Sequence, residues 1–263
     1  MPTMPSRTNI VIRAGAAMAT LAGVTVATGQ PAAAAAHRLS CHGLRATIVG
    51  TRHGDVIYGT NKRDVIVAGP GPDRIFGNGG SDVICGGRGA DVIFPGPGND
   101  WVDAGHDGML YGEDEVGDKV FGSHGNDVMF GGPGLGSGRG LDQLIYYWAK
   151  HRVRIDLADH MARIGKEHDQ VHGFEIVQGT NRDDVIFGTG GFEEIYGRGG
   201  NDIVKGRGGI DFIYGGAGDD RLSGGRGDDA LSGGRGHDIG HAGAGDDYCN
   251  TLEQAGGCEH LTR

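Results

Sequence analysis

Residues 224–231 read GGRGDDAL and residues 86–93 read GGRGADVI. Both segments approach the nine-residue pattern G-G-x-G-x-D-x-U-x, in which U is apolar. An acidic residue recurs at the sixth position of this pattern on a count of nine along much of the chain. The series is Asp55, Asp64, Asp73, Asp82, Asp91, Asp100, Asp118 and Asp127, then Asp184, Glu193, Asp202, Asp211, Asp220, Asp229, Asp238 and Asp247. This periodicity predicts a fold built from one repeated unit.

Each unit combines a Gly-rich turn with a short strand. Glycine in the first six residues permits left-handed backbone angles and lets carbonyl oxygens crowd together. The eighth position is aliphatic or Met, whereas the seventh is mixed, as expected where side chains alternate between two faces. The eighth-position residues are Ile57, Ile66, Ile75, Ile84, Ile93, Val102, Val120, Met129, Ile186, Ile195, Val204, Ile213, Leu222 and Leu231. The sequence therefore predicts an all-β fold, a parallel β-roll (right-handed β-solenoid) whose eighth positions face inward.

Two units complete one turn of such a roll, so carboxylates eighteen residues apart stack about one strand spacing (~4.8 Å) from each other. Like charges at that distance repel, and a divalent cation between successive turns converts the repulsion into ligation. Calcium prefers six to eight oxygen ligands from carboxylates and carbonyls. The alternatives are a metal-free Gly/Asp-rich solenoid and a disordered acidic tract. Both are disfavoured because an aliphatic residue follows each acid at a fixed interval.

The repeats resemble the RTX (hemolysin-type) calcium-binding family over most of residues 47–248. Residues 41–51 (CHGLRATIVGT), followed by residues 82–87 (DVICGG), resemble the start of small secreted calcium-binding proteins made of the repeats alone. The resemblance implies that several Ca²⁺ ions are bound by the acidic series above, by Asp142 and by carbonyl oxygens of the Gly-rich turns. The implied turn residues are Gly77, Gly79, Gly86, Gly89, Gly197, Gly199, Gly206, Gly208, Gly215, Gly218, Gly224, Gly227, Gly233 and Gly236.

The repeats fall into two arrays separated by an interlude. We expect a first array with an N-terminal cap at residues 37–138, a β interlude at 139–178, a second array at 179–248 and a C-terminal disulfide cap at 249–263. Residues 138–142 (GRGLD) resemble one more loop, and Val153, Ile155 and Leu157 alternate as in a strand. We therefore expect the roll to continue or to bulge here. A separate domain is disfavoured because about forty residues lie near the lower limit for independent folding.

The first 36 residues have the pattern of a secretory signal peptide. Arg7 and Arg13 accompany a short apolar run at residues 14–27, and residues 31–36 (PAAAAA) offer an A-x-A cleavage site near Ala36. A retained membrane helix is disfavoured because the apolar run is shorter than the ~20 residues that a span needs. The expected mature protein is therefore extracellular and has no membrane span.

Composition limits the remaining functions. Glycine supplies 55 of 263 residues, hydrophobic residues 37% and aromatic residues 6%, so little material exists for an ordinary globular core. We expect the calcium-free repeats to be largely unfolded, because ordering glycine is costly and the stacked charges repel. Removal of Arg7 and Arg13 changes the net charge from −10 to −12. Such a surface favours cations and disfavours nucleic acid.

Four cysteines in an exported chain suggest two disulfides, for which three connectivities exist. Cys249 and Cys258 are close in sequence after the last repeat, and Cys41 precedes the first strand. We therefore favour the pairs Cys41–Cys85 and Cys249–Cys258, which would fasten the two ends of the roll. Zinc or redox chemistry is the alternative, but the sequence contains no C-x-x-C.

Two further patterns have structural explanations. Residues 168–172 (HDQVH) have the spacing of the zinc motif H-E-x-x-H, but Asp replaces Glu and the neighbouring residues favour a strand over a helix, so we expect a coincidence. Tyr58, Phe76 and Phe94 recur every eighteen residues, as do Tyr196 and Tyr214. We expect these rings to pack between turns, although a carbohydrate-binding stripe is an alternative.

The sequence thus predicts a secreted protein that is not an enzyme and whose partners are calcium ions. Its roll binds several Ca²⁺ ions between successive turns and folds on binding. The sequence does not identify a cell-surface or matrix partner. The alternatives are an RTX-type secreted hydrolase, metalloprotease or lipase-like, and an adhesion module with the roll as its scaffold.

Overall fold

A computed structural model describes residues 9–12, 39–106, 116–132 and 141–262. Within these residues the chain forms 27 short strands, numbered β1 to β27 along the sequence, and no helix. Correspondingly, none of the described segments is a helix long and apolar enough to cross a membrane. The predicted all-β class is confirmed.

Two long sheets contain all but two of these strands. Sheet 1 has twelve strands in the order β1 (Asn9–Ile12), β5 (Asp55–Tyr58), β7 (Arg74–Phe76), β9 (Val92–Phe94), β11 (Val116–Phe121), β13 (Leu141–Ile145), β17 (Ile176–Gln178), β19 (Glu193–Gly199), β21 (Asp211–Ala217), β23 (Ala230–Arg235), β25 (Tyr248–Asn250) and β27 (His260–Thr262). Nearly all odd-numbered strands after β3 therefore lie side by side in sheet 1.

Sheet 2 has thirteen strands in the order β4 (Ile48–Val49), β6 (Val65–Pro70), β8 (Val83–Arg88), β10 (Trp101–His106), β12 (Val128–Phe130), β16 (Glu167–His172), β15 (Met161–Ile164), β14 (Val153–Asp156), β18 (Val185–Phe187), β20 (Ile203–Lys205), β22 (Arg221–Arg226), β24 (Ile239–Ala244) and β26 (Gln254–Gly256). The remaining pair, β2 (Ser40–Cys41) and β3 (Leu44–Arg45), forms a short antiparallel hairpin at the N-terminal end of the roll.

Strand pairing follows the eighteen-residue period. In the second array Ile195 pairs with Ile213, and Ile213 with Leu231, in parallel register. Each turn contributes one strand to each sheet, so equivalent residues of successive turns lie side by side. The predicted parallel β-roll is therefore confirmed.

The core is a column of eighth-position side chains between the two sheets. Ile57, Ile66, Ile75, Ile84 and Ile93 are all fully buried, and the column continues through the second array to Leu231. Seventh-position side chains point outward: Phe212 and Ile203 are 38% and 36% exposed. Because one strand contributes about one large inward side chain, the core is narrow for a chain of this length.

Outward-facing aromatic rings stack between turns on sheet 1. Tyr58 lies 5.0 Å from Phe76, and Phe76 lies 4.9 Å from Phe94, between ring centroids and with nearly parallel planes. Tyr196 and Tyr214 stack at 4.8 Å in the second array. The predicted packing between turns is confirmed. Because these rings stack face to face, their faces are covered and are not open for a sugar to stack on.

The interlude continues the roll but changes its strand direction in sheet 2. There β14 and β15 pair antiparallel, and so do β15 and β16, whereas β16 pairs parallel with β12 and β14 with β18. Sheet 1 has the single strand β13 between β11 and β17, all parallel. Sheet 2 has three strands over the same interval, two more than sheet 1 has there.

Disulfides fasten both ends of the roll. Cys41 bonds to Cys85 and fastens the β2–β3 hairpin to sheet 2, where Cys41 packs with Val65 and Val83. Cys249 bonds to Cys258 after the last repeat. The structure thus contains the two pairs that the sequence favours.

The ends of several predicted segments lie outside the described residues. This applies to the boundary between the first array and the interlude near residue 138, and to the predicted signal peptide apart from β1. That strand pairs parallel with β5 at the N-terminal edge of sheet 1. The signal peptide therefore stays a prediction.

The inward and outward faces give a matched pair of substitutions. Ile213→Ala removes a fully buried side chain, and we expect it to lower the free energy of unfolding by about 2–4 kcal/mol in calcium. Ile203→Ala makes the same chemical change at an outward position and should cost less than about 1 kcal/mol. Urea unfolding followed by far-ultraviolet circular dichroism measures both. Equal losses would contradict the assignment of the core face.

Candidate metal-binding ladders

The acidic residues of the repeats form hydrogen-bonded ladders along the roll. Each sits at the turn into a strand, with its side chain buried between the sheets; Asp202 and Asp211 are 0% exposed. The Asp202 amide donates to Asp220 Oδ1 at 2.8 Å, and the Asp220 amide donates to Asp238 Oδ1 at 2.9 Å. One carboxylate oxygen of each residue is therefore used to hold the preceding turn.

Two ladders run along opposite sides of the roll, and each has two segments. On one side the segments are Asp55–Asp73–Asp91–Asp118–Asp142–Glu175 and Glu193–Asp211–Asp229–Asp247–Glu259. On the other side they are Asp64–Asp82–Asp100–Asp127–Asp169 and Asp184–Asp202–Asp220–Asp238–Glu253. All seventeen acidic residues that the sequence singled out lie in these ladders.

Four ladder members were not predicted, namely Asp169, Glu175, Glu253 and Glu259. Two of them carry a recognisable signal. Asp169 precedes the buried Val171 by two residues, and Glu175 likewise precedes Val177. The acid-x-aliphatic half of the repeat is thus present without its Gly-rich half, so a search for the complete nonapeptide misses these residues.

The zinc-like segment at residues 168–172 lies on strand β16. Asp169 points inward and is 1% exposed, whereas His168 is exposed and His172 stacks on Phe130 at 4.8 Å. Asp169 accepts hydrogen bonds from the Asp127 amide and the Tyr146 hydroxyl. The zinc motif requires both histidines on one face of a helix with the acid beside a bound water. This strand does not provide that geometry.

The second oxygen of many ladder carboxylates is buried and has no hydrogen-bond partner. Among the described residues this holds for Oδ2 of Asp73, Asp82, Asp100, Asp202, Asp211, Asp220, Asp229, Asp238 and Asp247. Buried polar atoms without partners are rare in folded proteins, because burying them unsatisfied is costly. The same unpartnered oxygen at successive turns is a ligand atom that a cation between the turns could use.

Glycine brings this oxygen close to the backbone. A Cβ atom at Gly215 would lie 2.4 Å from Asp220 Oδ2 and 2.7 Å from the Gly233 carbonyl oxygen. Only glycine therefore lets the carboxylate and the carbonyl of the next turn approach the same point. The same close approach, between the Cβ position and the carboxylate of the same loop, occurs at seven predicted first-position glycines: Gly77, Gly86, Gly197, Gly206, Gly215, Gly224 and Gly233.

The other predicted glycines fall into two groups. Gly89, Gly218, Gly227 and Gly236 stand at the fourth position of their loops, with φ between 112° and 137°. Gly79, Gly199 and Gly208 stand at the third position. In their loops the left-handed fourth position is the following residue, with φ of 128° at Gly80 and 102° at both Gly200 and Gly209.

Burial makes the ladder carboxylates hard to ionise. It raises the pKa of Asp202 from 3.8 to about 8, with repulsion from Asp184 and Asp220 adding to the shift and the Asp184 amide opposing it. Burial likewise raises the pKa of Asp73 and Asp100 to about 7, and that of Asp220 and Asp229 to about 6. A cation beside these groups would reverse the shift by favouring their charged form.

The donor set fits calcium. Nowhere in the described ranges do three or more His, Cys, Asp or Glu side chains converge on one point, so carboxylates alone do not make a site. A metal held here would also need the backbone carbonyls of the Gly-rich turns. Hard cations that accept carbonyl and carboxylate oxygens in flexible geometry, calcium above all, match this composition.

The comparisons agree with this chemistry. Five segments match the family described as RTX calcium-binding nonapeptide repeat (4 copies), at residues 58–93, 86–107, 117–135, 178–213 and 214–249. No curated protein matches the chain. The family matches cover more than half of the sequence and include most of the ladder residues. This chain belongs to the RTX calcium-binding nonapeptide repeat family.

Proposed function

We propose that this chain is a secreted calcium-binding protein whose β-roll binds several Ca²⁺ ions between successive turns and folds on binding. The observation that carries the proposal is the buried, unpartnered carboxylate oxygen that recurs beside a carbonyl of the next turn. The carboxylates of the two ladders would hold the ions together with carbonyl oxygens of the Gly-rich turns. The bound ion supplies the positive charge that lets the stacked carboxylates ionise inside the roll.

Folding on binding follows from the balance of charge and core. Successive carboxylates of a ladder repel one another, while each strand buries only one large aliphatic side chain. Glycine adds an entropic cost, since it has the most backbone freedom to lose. Because the unfolded chain has no assembled site, the free energy of calcium binding adds to that of folding.

Export is the second part of the proposal. The two disulfides suit an oxidising, extracellular compartment, and the N-terminal sequence has the features of a signal peptide. Extracellular calcium modules typically bind in the range of about 10⁻⁴ to 10⁻³ M. Such affinity would keep the roll unfolded inside the cell and fold it outside. The repeat-only organisation fits a protein without catalytic activity.

A matched pair of charge substitutions tests the ladder. Asp220→Asn keeps a hydrogen-bond acceptor for the Asp202 amide but removes the buried charge, and we expect it to lower the calcium stoichiometry by about one or two ions. Asp219→Asn makes the same change at the neighbouring exposed residue and should leave stoichiometry unchanged. Isothermal titration with CaCl₂ measures both variants. Unchanged stoichiometry in Asp220→Asn, or an equal loss in both variants, would falsify the assignment.

A pair of glycine substitutions tests the close approach of oxygen atoms. Gly215→Ala places a methyl group 2.4 Å from Asp220 Oδ2, so the carboxylate must move away from the Gly233 carbonyl. We expect calcium affinity at this turn to fall roughly tenfold or more, which corresponds to about 1.4 kcal/mol. Gly190→Ala is the control, because a Cβ there meets nothing within 4 Å. The idea fails if both variants titrate like the parent protein.

The raised pKa values predict an unusual pH dependence without calcium. Groups such as Asp202, with a pKa of about 8 in the fold against 3.8 unfolded, bind more protons in the folded state between these values. The contribution of these groups to the stability of the folded state is therefore present below about pH 4 and is lost as the pH rises through about 8. We expect the strand content in EDTA, measured by far-ultraviolet circular dichroism, to decrease from pH 5 to pH 8. In saturating calcium this decrease should disappear, and a strand content in EDTA that rises over the same range would contradict the pKa assignment.

A further inference from the structure

A cavity of about 270 Å³ opens beside the interlude, and its lining residues Ser123 and Tyr146 donate hydrogen bonds to the ladder carboxylates of Asp127 and Asp169. Its position follows from the unequal sheets. Because sheet 2 has three strands over an interval where sheet 1 has one, the loop at residues 146–152 does not stack on the loop at residues 122–127 as successive repeats do. The Trp148 indole N–H reaches across to the Gly122 carbonyl at 3.1 Å. The space left between the two loops is the cavity.

Stacked aromatic rings form one wall. Phe94 and Phe121 stack at 4.1 Å between centroids, and Phe121 and Trp148 stack at 4.5 Å. Phe94 also stacks on Phe76, so both faces of Phe94 and of Phe121 are covered by other rings. These two rings therefore present their edges, which carry partial positive charge. A cation needs an open ring face, and so does a sugar ring, so neither suits this part of the wall.

The floor is apolar. Tyr146 and Ile164 contribute buried side chains, and Ala149 lies beside them. The Tyr146 hydroxyl donates to Asp169 Oδ2 at 2.7 Å, so its polar atom is already engaged below the floor. The interior can therefore hold a hydrocarbon group without leaving a polar atom of the protein unsatisfied.

The rim carries one lysine, Lys150, and one glutamate, Glu167, beside two histidines. His124 pairs with Glu167 at 3.3 Å, which satisfies the carboxylate that lines the cavity. Lys150 and His151 also line the rim and are exposed. The ammonium of Lys150 is therefore available to an anionic group at the mouth.

We propose that this cavity binds a small amphipathic carboxylate, with its hydrocarbon part between the aromatic wall and Ile164 and its carboxylate at Lys150. A cavity of this size matches a short aliphatic or single-ring acid; a dry cavity of about 150 Å³ already accommodates benzene. No ladder carboxylate lines the cavity, so the site adds a second ligand class to the protein.

The test compares three ligands that share one hydrocarbon chain: hexanoate, hexanol and hexylammonium. The chain has two tryptophans, Trp101 and Trp148, so Trp101→Phe leaves the cavity residue as the sole reporter. Titrations use this full chain in saturating calcium and follow Trp148 fluorescence. We expect hexanoate to bind with a dissociation constant on the order of 1 mM, with hexanol at least several-fold weaker and hexylammonium weaker still.

Two charge variants separate this site from general electrostatics. Lys150→Glu should weaken hexanoate at least fivefold and leave hexanol unchanged. Lys205→Glu makes the same charge change on the outer face of sheet 2 and should leave all three ligands unaffected. Circular dichroism and calcium titration confirm that each variant folds. The proposal is overturned if hexanoate gives no saturable response, if the three ligands bind equally, or if the two lysine variants weaken hexanoate equally.

Discussion

The hydrogen bond from the backbone of one acidic residue to the carboxylate one turn further along determines most of this structure. It fixes the register of successive turns, since each amide finds its acceptor only when equivalent residues lie side by side. It also uses a single oxygen of each carboxylate and leaves the other buried. Without a cation beside the carboxylates this arrangement is unfavourable, because stacked charges and unsatisfied oxygens both cost free energy. Under the proposed function, bound calcium neutralises the second oxygen and the fold depends on it.

The ladders and the sheets respond differently to the interlude. Both sheets run through it without a break. The ladders do not: the Glu175 amide donates to the Asp142 carbonyl at 3.1 Å, and Asp184 Oδ1 accepts from Val153 at 2.8 Å. The backbone thus forms one continuous roll. The carboxylate ladders, in contrast, are divided into two separate arrays by the interlude. Under the proposed function, the arrays can differ in calcium affinity while sharing one core.

Much of this architecture was predictable because each repeat has the same residue pattern, which has the same structural consequence every time. An acid and an aliphatic residue two places later predict a buried carboxylate followed by an inward side chain, and Asp220 with Leu222 are found so. The interlude was predictable only in part. Alternation at Val153 and Ile155 indicates a strand but not its partner. Pairing direction there depends on tight turns, at residues 157–160 and at Gly165, whose φ is 62°. Asp169 and Glu175 escaped notice because neither follows a Gly-rich turn: Asp169 lies within β16, and Glu175 lies in the bend just before β17.

Hydrogen–deuterium exchange at pH 8, with and without a calcium chelator, tests most directly whether calcium holds the ladders together. The account predicts that backbone amides of Asp202, Asp211 and Asp220 are protected in calcium and exchange within seconds to minutes in the chelator. Peptides from both arrays should lose protection. Equal protection of these amides in both conditions would show that the roll stands without the metal, and would contradict the central claim.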